Sequence, residues 1–362
     1  MPVAYTADRV FTGKSCITNA AVIIEDDVIE NIIPLSELRS GVTVIQHASI
    51  ISSSFIDIQI YGAHSKLFSV YPKVDTLFKM EDYCKAGGAK YFLPTIATNT
   101  LEVIKKGIDA IREYWSKGGK SVPGLHVEGP WINKVKRGAH IEHLVHEPTL
   151  TEVKEVLEYG KGAIKIITLA PEVCSKEIIH MIKNQGVIIS AGHSNAGYEQ
   201  ATEAFNDINL ATHLFNAMSP LHHRNPGLPA AVMLHNDVMV SVVADGYHVD
   251  FNMIRLAKKL MGERLFFITD AVTDTNEGPY PHVLTGDKYE SNGILSGSAL
   301  TMMKAVKNGV EKCDIALDEA LRMASLYPAK ALQIDSRTGI LEKGYDADLV
   351  LINENLEVLQ CI

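Results

Sequence analysis

The feature that most constrains this chain is a repeated alternation of short apolar runs with longer amphipathic stretches. From residue 50 onward come IISSSFIDIQIYG (50–62), KYFLPTIAT (90–98), GLHVEGP (124–130) and AIKIITLAPE (163–172). GVIISAGHS (186–194), NLATHLFNAM (209–218), VMVSVVADG (238–246) and RLFFITDAV (264–272) follow. These runs are apolar nearly throughout rather than alternating with polar residues, as strands are when both faces are buried. Between them, stretches such as TEVKEVLEYG (151–160) and FNMIRLAKKLMG (251–262) carry helical spacing. Strand-then-helix repeated eight times predicts an α/β fold, a (β/α)8 TIM-type barrel. ALTMMKAVKNGVEKC and LDEALRMASLYPAKAL read as two helices that close it.

The two ends differ in texture. Residues 1–49 read as short strands, with AAVIIEDDVIENIIP forming two apolar runs about an Asp26-Asp27 turn. The tail GILEKGYDADLVLINENLEVL (339–359) returns to turns and strands. The expected organisation is therefore a small β-sandwich domain made by both chain ends, residues 1–49 plus 334–362, around a barrel of residues 50–333.

Charge narrows the partners. A net charge of −9 over 362 residues argues against nucleic acid and against attraction to an anionic membrane. An anionic substrate would have to be captured by a local positive cluster. Five scattered cysteines (Cys16, Cys84, Cys174, Cys313, Cys361) form no CxxC pair and fit reduced thiols, hence an expected cytoplasmic location. MPVAYTADRVF lacks a signal pattern, and no apolar run is long enough to span a membrane.

In barrels of this kind, chemistry sits at the C-terminal ends of the strands. Here those ends carry Gln59, Glu128, His193, His213, His248 and Asp270. Glu128 stands just before Gly129-Pro130, a pair that stops a strand, and a buried carboxylate there is costly unless it meets a metal, a cation or a set of donors. His126, two residues earlier, is expected on the same side of the strand. One carboxylate and two imidazoles make a three-ligand set that leaves a coordination position open, the catalytic form of a zinc or similar site. A single histidine at such a place is more often a satisfied core residue. Several on successive strand ends, with an aspartate left over for protons, are hard to explain as packing.

FIDIQIYG, GLHVEGP, SAGHSNA, THLFNAM, ADGYHVD, FITDAV and GYDADLVL, in that order along nearly the whole chain, resemble the N-acetylglucosamine-6-phosphate deacetylase family of the amidohydrolase superfamily. The resemblance implies deacetylation of N-acetylglucosamine 6-phosphate to glucosamine 6-phosphate and acetate. It implies Glu128, His193 and His213 as metal ligands and Asp270 as the catalytic acid/base. Ala139, His140, Asn216, Ala217, Arg224, His248, Leu295, Ser296 and Gly297 match positions that contact the amino sugar phosphate. One divalent ion per subunit is implied, zinc or else iron or another divalent ion. An arginine placed like Arg224 reaches the neighbouring subunit's site in this family, which implies a homodimer. Two departures stand out. Gln59-Ile60-Tyr61 occupies the place where many amidohydrolases carry His-x-His and a second metal, and the usual partner of such a Gln is Asn rather than Tyr61. Ser53-Ser54 replaces the usual Pro-Gly before Phe-Ile-Asp.

Independently of the resemblance, SPLHHRNPG (219–227) offers Arg224, His222 and His223 as a positive spot suited to phosphate, against the ordinary reading of a solvated loop. Two other functions compete. A related amidohydrolase could act on N-acetylgalactosamine 6-phosphate or on another N-acyl or cyclic amide; for a cyclic amide or N-acyl amino acid hydrolase, His-x-His and often a metal-bridging lysine on the fourth strand would be expected, and Lys165 lies early on that strand. A non-catalytic scaffold on a decayed barrel would have lost ligands, whereas Glu128, His193, His213 and Asp270 are all present.

Overall fold

The computed structural model describes residues 1–286, 288–291 and 293–362. Eight parallel strands form one sheet in which each strand neighbours the next in sequence. They are Phe55–Ile60, Ala89–Ala97, Leu125–Glu128, Ile164–Leu169, Ile188–Ala191, Leu210–Ala211, Met239–Val243 and Leu265–Ile268. The last returns to the first through a parallel bridge of Ile60 with Ala271 and a hydrogen bond from Asp270 N–H to Gln59 C=O at 2.9 Å. The result is a nearly closed barrel with helices after the strands, as the apolar runs predict.

The helices start where side chains can cap them. Thr100, Thr149, Ser175 and Asp250 each accept a hydrogen bond from a backbone N–H of the first turn of Leu101–Ser116, Leu150–Tyr159, Lys176–Asn184 and Phe251–Met261. Beyond the barrel, Met302–Cys313 forms as expected, but the second closing helix is divided into Leu317–Ala324 and Leu326–Ala331. Pro328 has no N–H to give the preceding turn, and its ring crowds the carbonyl there, so one continuous helix is not available.

The chain ends build a separate six-stranded sheet. Val358–Cys361, Leu349–Ile352, Thr43–Ser53, Val3–Phe11, Cys16–Glu25 and Val28–Pro34 are its strands in spatial order. The Asp26-Asp27 hairpin is present, both residues taking positive φ. The run IISSSFIDIQIYG, read as one strand, is divided at Ser54: residues up to Ser53 belong to the terminal sheet and Phe55–Ile60 to the barrel. Ser54 N–H donates to the Asp348 carbonyl at 2.9 Å, while the hydroxyls of Ser53 and Ser54 are buried without a partner. Contacts divide the chain into two compact units, Met1–Asp57 with Cys84–Tyr91 and Thr301–Ile362, and Ile58–Tyr83 with Phe92–Leu300. No helix among the described residues is long and apolar enough to cross a membrane.

A three-stranded sheet not foreseen from the sequence, Val283–Thr285, Lys288–Ser291 and Ile294–Ser298, follows the last barrel strand. Its strands are short and largely polar or exposed, so they lack the apolar signature that marks the barrel.

Candidate active site

The second unit holds a cavity of about 240 Å3 at the C-terminal ends of the barrel strands. Of the residues singled out from sequence, Glu128, His193, His213, Asp270, Ala139, His140, Asn216, Ala217, His248, Leu295, Ser296 and Gly297 all line it. Gln59 lies just behind the wall and touches it through hydrogen bonds. Arg224 is exposed and does not line this chain's cavity. No lysine or arginine lines it either, among the described residues.

Three potential ligand atoms converge. Nε2 of His193 and Nε2 of His213 each lie 3.3 Å from Oε1 of Glu128, and 3.1 Å from each other. His193 is oriented from behind: its Nδ1 lies 2.9 Å from the Lys136 carbonyl, so Nδ1 carries the proton and Nε2 presents a lone pair. Three electron-rich atoms facing one another in a buried place repel unless a cation or a proton sits among them. A tetrahedral site with bonds of about 2.0–2.1 Å has edges of about 3.3 Å. The donor set and its spacing therefore fit a divalent ion, and these three are the residues that could hold one.

The backbone carries these side chains at some cost. His193, His213 and Asp270 take φ of 49°, 36° and 54°, the left-handed region that residues with a Cβ seldom adopt. Such backbone persists when the surroundings over-determine it, and here they do. Asn133 N–H donates to the His193 carbonyl at 2.9 Å, and Ser298 N–H donates to the Asp270 carbonyl at 2.8 Å. Glu172, at the end of the fourth strand, ties the His193 loop by accepting from Ser194 Oγ at 2.6 Å, Asn195 N–H at 2.6 Å and Asn133 Nδ2 at 3.0 Å.

Electrostatics divides the carboxylates. Burial pushes Glu128 up, but the imidazoles of His193, His140 and His213 outweigh it and hold this carboxyl well below the ordinary range. Burial pushes Asp270 up, and the nearby Glu128 charge adds to that, so its carboxyl stands above the ordinary range. Burial also lowers His193 to about 4. For His213, burial is overcome by its contact with Glu128, and the ring is raised.

Other neighbours were not foreseen. Tyr61 hydroxyl donates to Oε2 of Glu128 at 2.5 Å, and burial with the Glu128 charge pushes its phenol well above the ordinary value. Nδ1 of His248 lies 2.6 Å from Oδ2 of Asp245. His282 Nε2 lies 3.0 Å from Ser296 Oγ in the cavity wall, where Tyr280 also stands. Asp245 could have been read from ADGYHVD as an acid three residues before a histidine; Tyr280 and His282 carried no local signal. His126 does not join the site. Its Nδ1 meets the Ile58 carbonyl at 2.9 Å and its Nε2 meets Thr168 Oγ1 at 2.8 Å, so both nitrogens are spent on the barrel interior. Lys165 sits near the start of Ile164–Leu169 and does not line the cavity, which removes the support for a lysine-bridged metal pair.

Comparison with known proteins gives the same fold and architecture. The chain is 35% identical over 363 aligned residues, spanning 97% of itself and 95% of the relative, to N-acetylglucosamine-6-phosphate deacetylase of Haemophilus influenzae. N-acetylgalactosamine-6-phosphate deacetylase of Escherichia coli O157:H7 is 29% identical, covering 98% of this chain and 96% of that one. The crystal structure of N-acetylglucosamine-6-phosphate deacetylase from Pasteurella multocida superposes with a TM-score of 0.95 at 32% identity, over 100% of this chain and 98% of that chain. A variant of the Mycobacterium smegmatis enzyme in complex with N-acetyl-D-glucosamine-6-phosphate gives 0.92 at 27% identity, over 100% and 97%. Residues 3–48 match the NagA composite domain, and residues 50–361 match the amidohydrolase family, to which this chain belongs.

Proposed function

We propose that the protein hydrolyses the N-acetyl group of N-acetylglucosamine 6-phosphate, giving glucosamine 6-phosphate and acetate. The observation that carries this reading is the convergence of Glu128, His193 and His213 beside Asp270 in one cavity. The 35% identity to a deacetylase of that substrate, over nearly the full length of both chains, supports the choice of sugar phosphate. One divalent ion per subunit held by Glu128, His193 and His213, with zinc as the first choice, would supply Lewis acidity, making water nucleophilic near neutral pH and polarising the amide carbonyl.

The chain's own groups do the rest. Asp270 takes a proton from the attacking water as the oxygen–carbon bond forms, and gives it to the amine nitrogen as the carbon–nitrogen bond breaks. One carboxyl that first accepts and then returns the proton serves both halves of that task. Asp245 accepts from Nδ1 of His248, which leaves Nε2 of that ring available to a substrate oxygen. Asn216, Ala217, His140, Ser296 and Gly297 surround the sugar. In the family this chain resembles, an arginine placed like Arg224 reaches the neighbouring subunit's site; Arg224 here is exposed and outside this chain's own cavity, and it is assigned to the phosphate bound by a second copy, in a homodimer.

The test is acetate release from a panel of N-acetylglucosamine and N-acetylgalactosamine, each with and without the 6-phosphate. The expected result is a strong preference for N-acetylglucosamine 6-phosphate. Comparable turnover of the galactose epimer would shift the assignment to it, and no release from any of the four would overturn the reading.

A further inference from the structure

We propose that Tyr61 is a positioning residue that engages one oxygen of Glu128 so that the other is presented to His193 and His213. The proposal rests on the reading of those three residues as a metal site.

The two oxygens of Glu128 have different partners. Oε2 accepts from Tyr61 at 2.5 Å and lies 3.3 Å from Nε2 of His140. Oε1 lies 3.3 Å from both His193 and His213 and accepts from Gln59 Nε2 at 2.9 Å. Gln59 Nε2 also lies 2.7 Å from the Tyr61 hydroxyl and 2.8 Å from Oδ1 of Asp270, so its two protons are shared among three acceptors while the phenol donates its own to Glu128. The terminal torsion of a glutamate is soft and roughly two-fold, so a free carboxylate swings and exchanges its oxygens. A charge-assisted hydrogen bond to one oxygen removes that freedom.

The phenol can do this because its own place is fixed. The ring packs against a buried apolar cluster of Leu67, Ala97, Val272, Tyr280 and Tyr289. Its backbone is held on both sides, Tyr61 N–H donating to the Ala271 carbonyl at 2.8 Å and Phe68 N–H donating to the Tyr61 carbonyl at 2.8 Å. A shorter amide side chain at this position would end well short of Glu128. Tyrosine thus reaches across from the end of the first barrel strand to the end of the third.

The experiment replaces the hydroxyl and reads metal affinity by competition with a chelator, alongside thermal unfolding of the metal-free protein. Tyr61→Phe keeps the ring and its packing. Its affinity for zinc is expected to fall about ten- to hundredfold, the usual cost of losing a partner of a ligand. Placing 4-aminophenylalanine at position 61 keeps a donor on the same ring and should restore affinity to within a few-fold. If the Phe variant does not fold, 4-methylphenylalanine fills the volume of the hydroxyl without donating and replaces it in the comparison. A purely structural role would lower the unfolding temperature and leave affinity unchanged, and an unchanged affinity overturns the proposal. Failure of the metal-site reading looks different: the wild-type protein would hold no divalent ion tightly, or His193→Ala would hold it as well as wild type.

Discussion

Asp245 closes on the residue three positions after it, accepting from Nδ1 of His248 at 2.6 Å while its other oxygen takes the backbone N–H of Tyr247 and of His248 at 2.9 and 2.8 Å. Both side chains are buried at the end of the seventh barrel strand. Burial pushes the Asp245 carboxyl up, but these hydrogen bonds win and hold it below the ordinary range, so it stays ionised throughout the neutral region.

Asp245→Asn keeps the size of the side chain and loses the charge that fixes the imidazole tautomer. The expected outcome is a fall in kcat of about tenfold or more, in line with the loss of a charged hydrogen bond worth roughly 1.5–3 kcal/mol. Metal content should be unchanged. Steady-state kinetics and elemental analysis on one preparation check both, and wild-type turnover would remove His248 orientation from the mechanism.

Asp270→Asn separates proton transfer from binding. The shape of the side chain survives and Glu128, His193 and His213 remain, so the ion and the sugar phosphate should still bind. Turnover should fall by about 10²–10⁴, toward the upper end because one group serves in two steps. Isothermal titration with substrate, set beside turnover, decides the matter.

Arg224→Ala should chiefly damage the use of phosphorylated sugar, by about ten- to hundredfold in kcat/KM. If Arg224 serves the site of a second copy, mixing this variant with Asp270→Asn under conditions that exchange subunits should recover activity that neither has alone. Hybrids then contain one site with both residues intact. No recovery in a demonstrated hybrid would return Arg224 to its own chain or to none.

His126 makes stability fall in acid. Burial depresses its pKa to about 4, against about 6.5 in an unfolded chain. The unfolded state therefore takes up a proton first. Stability is whole above about pH 6.5 and is lost as the pH falls toward 4, by up to about 3 kcal/mol for a group this buried. Denaturant unfolding of wild type and His126→Asn at pH 7 and pH 5 should show a smaller pH difference in the variant, whatever its absolute stability. An equal difference would place the acid sensitivity elsewhere.

Much of this molecule is legible in its sequence because burial on both faces leaves a plain mark. The barrel strands are runs of Val, Ile, Leu and Phe, and Glu128, His193, His213 and Asp270, which line the cavity, stand at or just beyond the C-terminal ends of those runs. What escaped reading depends on contacts between distant segments. Nothing near Tyr61 announces that its hydroxyl meets Glu128, and nothing in HVLT or KYES announces a sheet that brings Ser296 and Gly297 to the cavity. His126 and Glu128 share a strand and a side, as alternation requires, yet end in different places. One residue of strand separates a ring satisfied inside the barrel from a carboxylate at its mouth. Sequence periodicity locates a face, whereas depth along the barrel axis is set by where each strand stops.

The terminal sheet has a consequence for biosynthesis. Leu349–Ile352 pairs with Thr43–Ser53, yet the two are separated by about 300 residues of chain. At ordinary translation rates, roughly 5–20 residues per second, the earlier strand waits about 15 s to a minute for its partner to leave the ribosome. Throughout that interval it offers an open row of backbone donors and acceptors to any neighbouring nascent chain. A message broken between codons 297 and 349 would make this exposure permanent. Its product should be recovered in inclusion bodies or bound to holdase chaperones, even though every side chain lining the cavity has already been synthesised.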